Sequence, residues 1–478
     1  MAKSLKEQAV KGTGWSAVER FATQGISFLI QLVLARLLIP EDYGVIAMLA
    51  IFLQIAQVFI DSGFATALIK KQDCSEADYS TVFYYNLVVA VLIYFIFFFT
   101  APLVSFFYNV PVLTNVMRVI SISLILNALC IVQRTKLIKR IDFKTQTKIS
   151  LTSIVVSGGI GILLAFKGFG VWALCLQTIL NSLFQLLLLS VYVHWKPLFL
   201  FSRQSFHEMF NYGSKILGAS IISVIYSNLY TIVIGKRFAS EALGYYSRAD
   251  QFDKFPSNNI AAIISGVSLP VLSKIQDDKD KLLFAYRKVI KYSSFIIFPL
   301  MLGLLAISKP FVMVALTEKW IGVVPIMQIL CLGYMIDHLS VLNLNLLYVE
   351  GRTDLVLKLE IIKKTIAISI LLITLPFGII IMCWGKIMYD FIAVLINSYY
   401  TNKLIKLSMF QQLLDILPYL LASVVMAIVV LLFDCFIGNY LMKLLFGIVI
   451  GGVVYSFSSI LFFRSELKEV LSVIKKMK

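Results

Sequence analysis

The chain is a succession of apolar stretches separated by short polar segments, and each stretch reaches the roughly 20 residues that a helix needs to cross a bilayer. In hydrocarbon every backbone N–H and C=O must find an internal partner, so such stretches have to be helices. Of the 478 residues, 59% are hydrophobic and 14% are charged, whereas a soluble domain is about a quarter charged. About fourteen spans satisfy the length criterion, beginning near Trp15, Tyr43, Ser80, Val112, Gln146, Gly170, Phe210, Tyr245, Ala285, Val324, Leu357, Ile379, Leu414 and Tyr440. The expected class is therefore an all-α polytopic membrane protein. Between the eleventh and twelfth spans, Pro376 and Gly378 of "LPFG" predict a tight turn.

Charge supplies the orientation. With the N-terminus inside, about thirty Lys and Arg lie in or beside cytoplasmic segments and about seven lie outside, as the positive-inside rule requires. The basic loops are "LIKKQDC", "QRTKLIKRIDFKTQTK", "SKIQDDKDK" and "EGRTDLVLKLEIIKK", and an even number of spans puts the basic C-terminal tail inside as well. The N-terminal segment is basic, but the apolar run behind it is too long and too polar for a cleavable leader. Lys3, Lys6 and Lys11 are expected at the membrane surface. The net charge of +17 thus reads as topology and anionic-lipid contact. No aromatic–basic interleaving or finger spacing points to nucleic acid. Six scattered cysteines form no CxxC and read as small buried hydrophobes, and no motif implies a metal or a cofactor.

An internal repeat organises the chain. "ARLLIPEDYG", Ala35–Gly44, resembles "GKRFASEALG", Gly235–Gly244, at a constant offset that also maps Thr23, Ser27 and Gln31 onto Ser223, Ser227 and Thr231. Six helices separate the copies, so both run in the same direction. Parallel repeats relate two lobes with a substrate site at their interface. The expected division is an N-terminal lobe at residues 1–200, a C-terminal lobe at 205–408, and an additional apolar helix pair with a basic tail at 409–478.

Polar residues inside the spans fall on stripes. Ser16, Glu19, Arg20, Thr23, Gln24, Ser27 and Gln31 share one side of the first span at about 100° per residue. The second span carries Gln54, Gln57 and Asp61, and the seventh carries Lys215, Ser223, Ser227 and Thr231. The eighth carries Arg248, Gln251, Lys254 and Asn258, with Asp250 and Asp253 further round. Arg118 lies in the fourth span, Asp337 in the tenth, and Lys386 and Asp390 in the twelfth. An intramembrane charge costs about 2.5–3.5 kcal/mol on insertion scales, so these stripes should face water or protein. Two lobes with wet faces imply a hydrated central cavity. The competing reading is helix–helix glue, which suits Ser, Thr and single Asn. Lys386 and Asp390, one turn apart, are expected to pair, and His338 reads as a hydrogen-bonded core histidine. "SGGIG", Ser157–Gly161, lacks the Lys-Ser/Thr of a phosphate loop and reads as close helix packing. Six basic residues (Arg20, Arg118, Lys215, Arg248, Lys254, Lys386) face six acidic ones (Glu19, Asp61, Asp250, Asp253, Asp337, Asp390) within the spans. Composition alone therefore defines no cationic site.

"KGTGWSAVERFATQGISFLIQLVLARLLIPEDYGVIAM", "DSGFATALIKKQDCSEADYSTVFYYNL" and "FASEALGYYSRADQFDKFPSNNIAAIISGVSLPVLSKIQDD" resemble the polysaccharide transport (Wzx/WzxC-like) branch of the multidrug/oligosaccharidyl-lipid/polysaccharide exporter superfamily. The resemblance implies a V-shaped bundle of two six-helix lobes plus a helix pair. It also implies alternating-access flipping of an undecaprenyl-pyrophosphate-linked oligosaccharide across a bacterial cytoplasmic membrane, with both termini inside. Read onto this chain, substrate contacts are expected from Arg20, Arg118, Lys215, Arg248, Lys254, Gln24, Gln54, Ser223 and Ser227. Ion coupling or charge pairing is expected from Glu19, Asp61, Asp250, Asp253 and Asp337. H+ and Na+ are both open as coupling ions, membrane lipids are the other partner, and the apolar final pair is expected to hold a lipid tail. Two rival readings remain: a cation-coupled multidrug antiporter, which should expose carboxylates, and a membrane-embedded glycan polymerase or transferase, which the short outer loops disfavour.

Overall fold

The "IPEDYG" segment shows how the chain sets its helix boundaries. The first helix, α1 (Ala2–Leu37), stops before Ile39, which is extended, and Pro40 opens α2 (Pro40–Asp61) at its first position, where a missing N–H costs nothing. Asp42 then accepts the Ile39 N–H at 3.3 Å, satisfying a donor that would otherwise be orphaned at the helix start. The computed structural model describes residues 2–464 and 466–467, without the side chains of 2–14, 16–18, 262–263, 265–267, 270 and 353. The side chains of Lys3, Lys6, Lys11 and Ser16, and most of the basic C-terminal tail, lie outside the described residues.

Among the described residues the fold is all-α. After α2 come α3 (Phe64–Lys70), α4 (Glu76–Tyr108), α5 (Val112–Ile120), α6 (Ile122–Lys139), α7 (Phe143–Phe166) and α8 (Val171–Val193). Then follow α9 (Arg203–Ser227), α10 (Leu229–Arg237), α11 (Ser240–Ser273), α12 (Lys279–Ala306), α13 (Ser308–Ala315) and α14 (Val323–Val349). The chain continues with α15 (Thr353–Thr374), α16 (Ile379–Ile405), α17 (Met409–Phe436) and α18 (Tyr440–Phe462). Among the described residues ten helices are long and apolar enough to cross a membrane, and α9 with α10, bent by 45°, makes an eleventh if the pair is one span. The chain is thus a multi-pass membrane protein. Helices α1, α11 and α15 are not among the eleven; in α1 and α11 the polar stripes dilute the apolar run. Each expected span start falls within, or a few residues from the start of, a long helix, except that Val112 opens the nine-residue α5, which continues as one apolar run into α6. The "LPFG" turn is a single 3-10 turn, Leu375–Phe377, closed by Gly378 at φ +94°, a conformation that glycine adopts without strain.

The described residues form two compact units that divide between Gly244 and Tyr245. In the first, α7 lies between α1 and α8, α6 packs on α4 and α8, and α2 runs against α4, α6, α8 and α9. One of its cores gathers Phe64, Leu68, Tyr79, Val82, Val132 and Met209. In the second, α14 packs on α12, α15 and α16, and α17 lies against α12 and α18. Trp320, Tyr286 and Phe298 are fully buried there. Between α12 and α14 the chain folds into α13 and a 3-10 turn, Glu318–Trp320.

Candidate functional site

In the first unit the α1 stripe meets α7 and α8. Glu19 accepts a hydrogen bond from the Ser150 hydroxyl of α7 at 3.2 Å, and the Thr23 hydroxyl donates to the Glu19 carbonyl at 2.5 Å. Arg20 is exposed. Gln24 is half-buried, and its Oε1 is buried without a hydrogen-bond partner. Further along, Ser27 and Gln31 line a cavity of about 170 Å³ with Ser157 of α7 and Gln177, Thr178 and Asn181 of α8. The glycines of "SGGIG" let these helices approach. A Cβ on Gly158 would collide with Ile30 of α1, and one on Gly161 would stand 3.1 Å from Gln177. The close-packing reading of that motif holds.

The other predicted residues of this unit are placed separately. Gln54 accepts from Asn228 Nδ2 at 2.9 Å, at the bend between α9 and α10. Lys215, Ser223 and Ser227 are exposed on α9, and Ser227 donates back to the Val224 carbonyl at 3.1 Å. Arg118 donates through Nε to the Phe98 carbonyl at 3.1 Å and stacks 4.4 Å from that ring. Asp61, the last residue of α2, accepts the Ala65 N–H at 3.2 Å and so satisfies a donor in the first turn of α3. In the α3–α4 connection, slight burial opposes the charge on Lys71. The Asp78 and Glu208 carboxylates, at 3.1 and 3.2 Å, outweigh it and hold the ammonium above its usual range.

In the second unit the intramembrane charges converge. Asp250 accepts from Lys254 and from the Tyr334 hydroxyl, each at 2.5 Å. The Lys386 ammonium lies 4.1 Å from the centre of the Tyr334 ring and 3.4 Å from Asp390, so the expected pair forms. Asp337 has Lys386, Lys363 and Lys254 as its attractive charges. Asp253 is fully buried; one oxygen accepts from the Cys331 thiol at 3.2 Å and the other has no hydrogen-bond partner. Arg248 is half-buried on α11. Beside this cluster His338 donates from Nδ1 to the Met335 carbonyl at 2.9 Å, because a carbonyl can only accept. Its Nε2 therefore accepts from Ser294 at 3.0 Å, and it is a core histidine as expected. Deeper still, Tyr286 and Thr401 donate to Asn343 Oδ1 at 2.9 and 2.6 Å, while Asn343 Nδ2 reaches Gln412 Oε1 at 3.1 Å. That network binds α12, α14, α16 and α17 together.

The structure thus brings together Asp250, Asp253, Lys254 and Asp337 of the predicted residues, and leaves Arg20 and Lys215 exposed. It adds Ser157, Gln177, Thr178 and Asn181, which the sequence reading did not select. The available signal was spacing: Gln177 and Asn181 stand one helical turn apart in a span without charges, and Ser153 and Ser157 stand one turn apart in α7. No group of His, Cys, Asp and Glu among the described residues could hold a metal ion. All six cysteines are free, and four of them are buried.

This architecture has solved counterparts. A lipid II flippase, MurJ, in an inward closed conformation superposes with a TM-score of 0.73 over 94% of this chain and 99% of that one, at 18% identity. An inward-facing multidrug resistance MATE family transporter of the MOP superfamily superposes at 0.62 over 80% and 94%, at 14% identity. The chain therefore has the fold of these two solved structures. The teichuronic acid biosynthesis protein TuaB of Bacillus subtilis (strain 168) is 26% identical over 74% of this chain and 73% of its own length. The lipopolysaccharide biosynthesis protein WzxC of Escherichia coli (strain K12) is 24% identical over 77% and 76%. The family model described as polysaccharide biosynthesis protein matches residues 33–325, and the chain belongs to that family.

Proposed function

We propose that this protein is a flippase that carries a lipid-linked oligosaccharide, of the undecaprenyl-pyrophosphate type, from the cytoplasmic to the outer face of the cytoplasmic membrane, for surface polysaccharide export. Such a cargo is amphipathic: a charged, hydroxyl-rich head and a long apolar tail. The observation that carries the reading is that the membrane-embedded helices offer matching environments for each part. The first unit has a polar cavity beside α1. The second has an apolar groove of about 470 Å³ lined by Pro299, Gly303, Met426, Val430, Gly447 and Gly451, suited to a polyprenyl tail. Diphosphate contact falls to Arg20 and Lys215, which are exposed. Lys254 is occupied by Asp250, and Arg118 by Phe98. Alternating access, with about fourteen spans if α1, α11 and α15 also cross, is the mechanism that the parallel repeat supports. The chain acts as a transporter and needs no covalent step.

One observation favours a second reading. The clustered carboxylates of the second unit, Asp250, Asp253, Asp337 and Asp390, outnumber the lysines Lys254, Lys363 and Lys386 around them, an environment that suits a cation-coupled antiporter. The two readings separate in proteoliposomes. A fluorescent polyprenyl-diphosphate glycan, protected from an impermeant quencher by its leaflet, is expected to equilibrate between leaflets only when the protein is present. Failure of flipping, with extrusion of an organic cation under an imposed H+ or Na+ gradient, would establish the antiporter instead.

A further inference from the structure

We propose that the cavity between α1, α7 and α8 is a neutral carbohydrate subsite that reads the sugar of the cargo. The inference rests on the flippase reading and adds to it the residues that select the glycan. Six polar side chains line the cavity, Ser27, Gln31, Ser157, Gln177, Thr178 and Asn181. No Asp, Glu, Lys or Arg occurs in α1 from 21 to 35, in α7 from 149 to 166, or anywhere in α8. The neutrality contrasts with the second unit, where the intramembrane charges gather. A cation or an anion in this partly enclosed cavity would find no opposite charge on its walls, which is unfavourable. A neutral ligand that both donates and accepts hydrogen bonds fits.

The polar groups also say which bonds are missing. Thr178 donates its hydroxyl proton to the Leu174 carbonyl at 2.9 Å, and Ser157 donates to Ile154 at 3.3 Å. Both oxygens are left as acceptors. Asn181 Oδ1 is buried and has no hydrogen-bond partner, and a buried acceptor left unmade is costly. A sugar ring supplies hydroxyl donors at several positions, with acceptor capacity for the amide N–H groups. At about 170 Å³ the space is smaller than the roughly 300–1,000 Å³ of drug-sized pockets, which suits one ring and excludes a chain of them. Arg20 lies on the same α1 stripe, seven residues before Ser27 and so about 10 Å along the helix. A diphosphate at Arg20 and the sugar attached to it can therefore be met along one helix.

The test compares two probes on the purified full chain: a short polyprenyl diphosphate, and the same lipid diphosphate carrying one hexose. Wild type is expected to bind the glycosylated probe about tenfold more tightly or better, the yield of two or three added hydrogen bonds. Asn181→Leu and Gln177→Leu should bring the ratio close to one and leave affinity for the bare diphosphate unchanged. Thr178→Val, at an exposed position of the lining, should lower it in part and keeps the test valid should the half-buried variants fold poorly. Unchanged discrimination in the variants, or an equal loss for both probes, would overturn the subsite and leave the flippase reading standing. If wild type bound neither probe, the flippase reading would fall and the subsite with it.

Discussion

At the scale of single residues, burial and partnership separate structural charges from available ones. Lys386 is largely buried and is the cation nearest to Asp390, at 3.4 Å. Removing one member of a buried pair leaves the other uncompensated, at a cost of about 3–5 kcal/mol, whereas replacing both with apolar groups is close to neutral. Lys386→Met is therefore expected to lower the melting temperature in detergent sharply, and Lys386→Met with Asp390→Leu to recover most of the loss. A double variant no more stable than the single one would show that Asp390 is not what Lys386 holds. Lys215 is exposed on α9, and surface substitutions of this kind change stability by about 0.5 kcal/mol or less. Lys215→Ala should melt like wild type yet reduce glycan export, read as surface polysaccharide at native expression. Normal export would remove Lys215 from the cargo path.

At the scale of elements, the repeat has a packing reason. α1 ends at Leu37 and α2 starts at Pro40; α10 ends at Arg237 and α11 starts at Ser240, so the helix boundaries keep the sequence offset. The repeat-related glycines pack reciprocally: a Cβ on Gly44 would run into the Ser240 carbonyl, and one on Gly244 into the Pro40 carbonyl. Backbone cannot step aside as a flexible side chain can, and overpacking costs about 1–3 kcal/mol or more. Gly44→Val and Gly244→Val should each reduce accumulation of folded protein, measured as the monodisperse fraction after extraction. Gly159, on α7, has open space where its Cβ would stand. Gly159→Ala should be tolerated and gain up to about 1 kcal/mol of helix propensity. If Gly159→Ala proved as damaging as the other two, close approach would not be what the glycines provide.

At the scale of the whole molecule, the final helix pair is fastened to the rest of its unit. Arg287 of α12 makes two 2.7 Å bonds to Asp415 of α17, and the Tyr455 hydroxyl of α18 donates to the Phe295 carbonyl at 2.7 Å. Truncation after Lys406 should therefore leave little protein in the membrane fraction on immunoblots; a stable, abundant truncated chain would make the pair an accessory. Most of the helix positions were legible in the sequence, because hydropathy, prolines and glycines act within a few residues of one another. The Lys386–Asp390 pair was legible for the same reason, since one helical turn brings the two together. Lys254 stands one turn from Asp250 and was open to the same local reading. The Asp61 carboxylate on the Ala65 N–H, four residues on, is likewise a local contact. What neighbours on other helices decide was not legible, as in the stacking of Arg118 on Phe98, a residue of another helix. The Asn181 cavity was invisible because its walls come from α1, α7 and α8, and neutral amides in an apolar span look like helix glue until the space between them is seen. The sequence alone determined that this chain is a helical membrane protein with a parallel repeat, since crossing hydrocarbon is a local requirement on each segment. Only the tertiary structure decided which polar groups neutralise one another and which remain open to a ligand, because that depends on residues far apart in the chain meeting at hydrogen-bond distance.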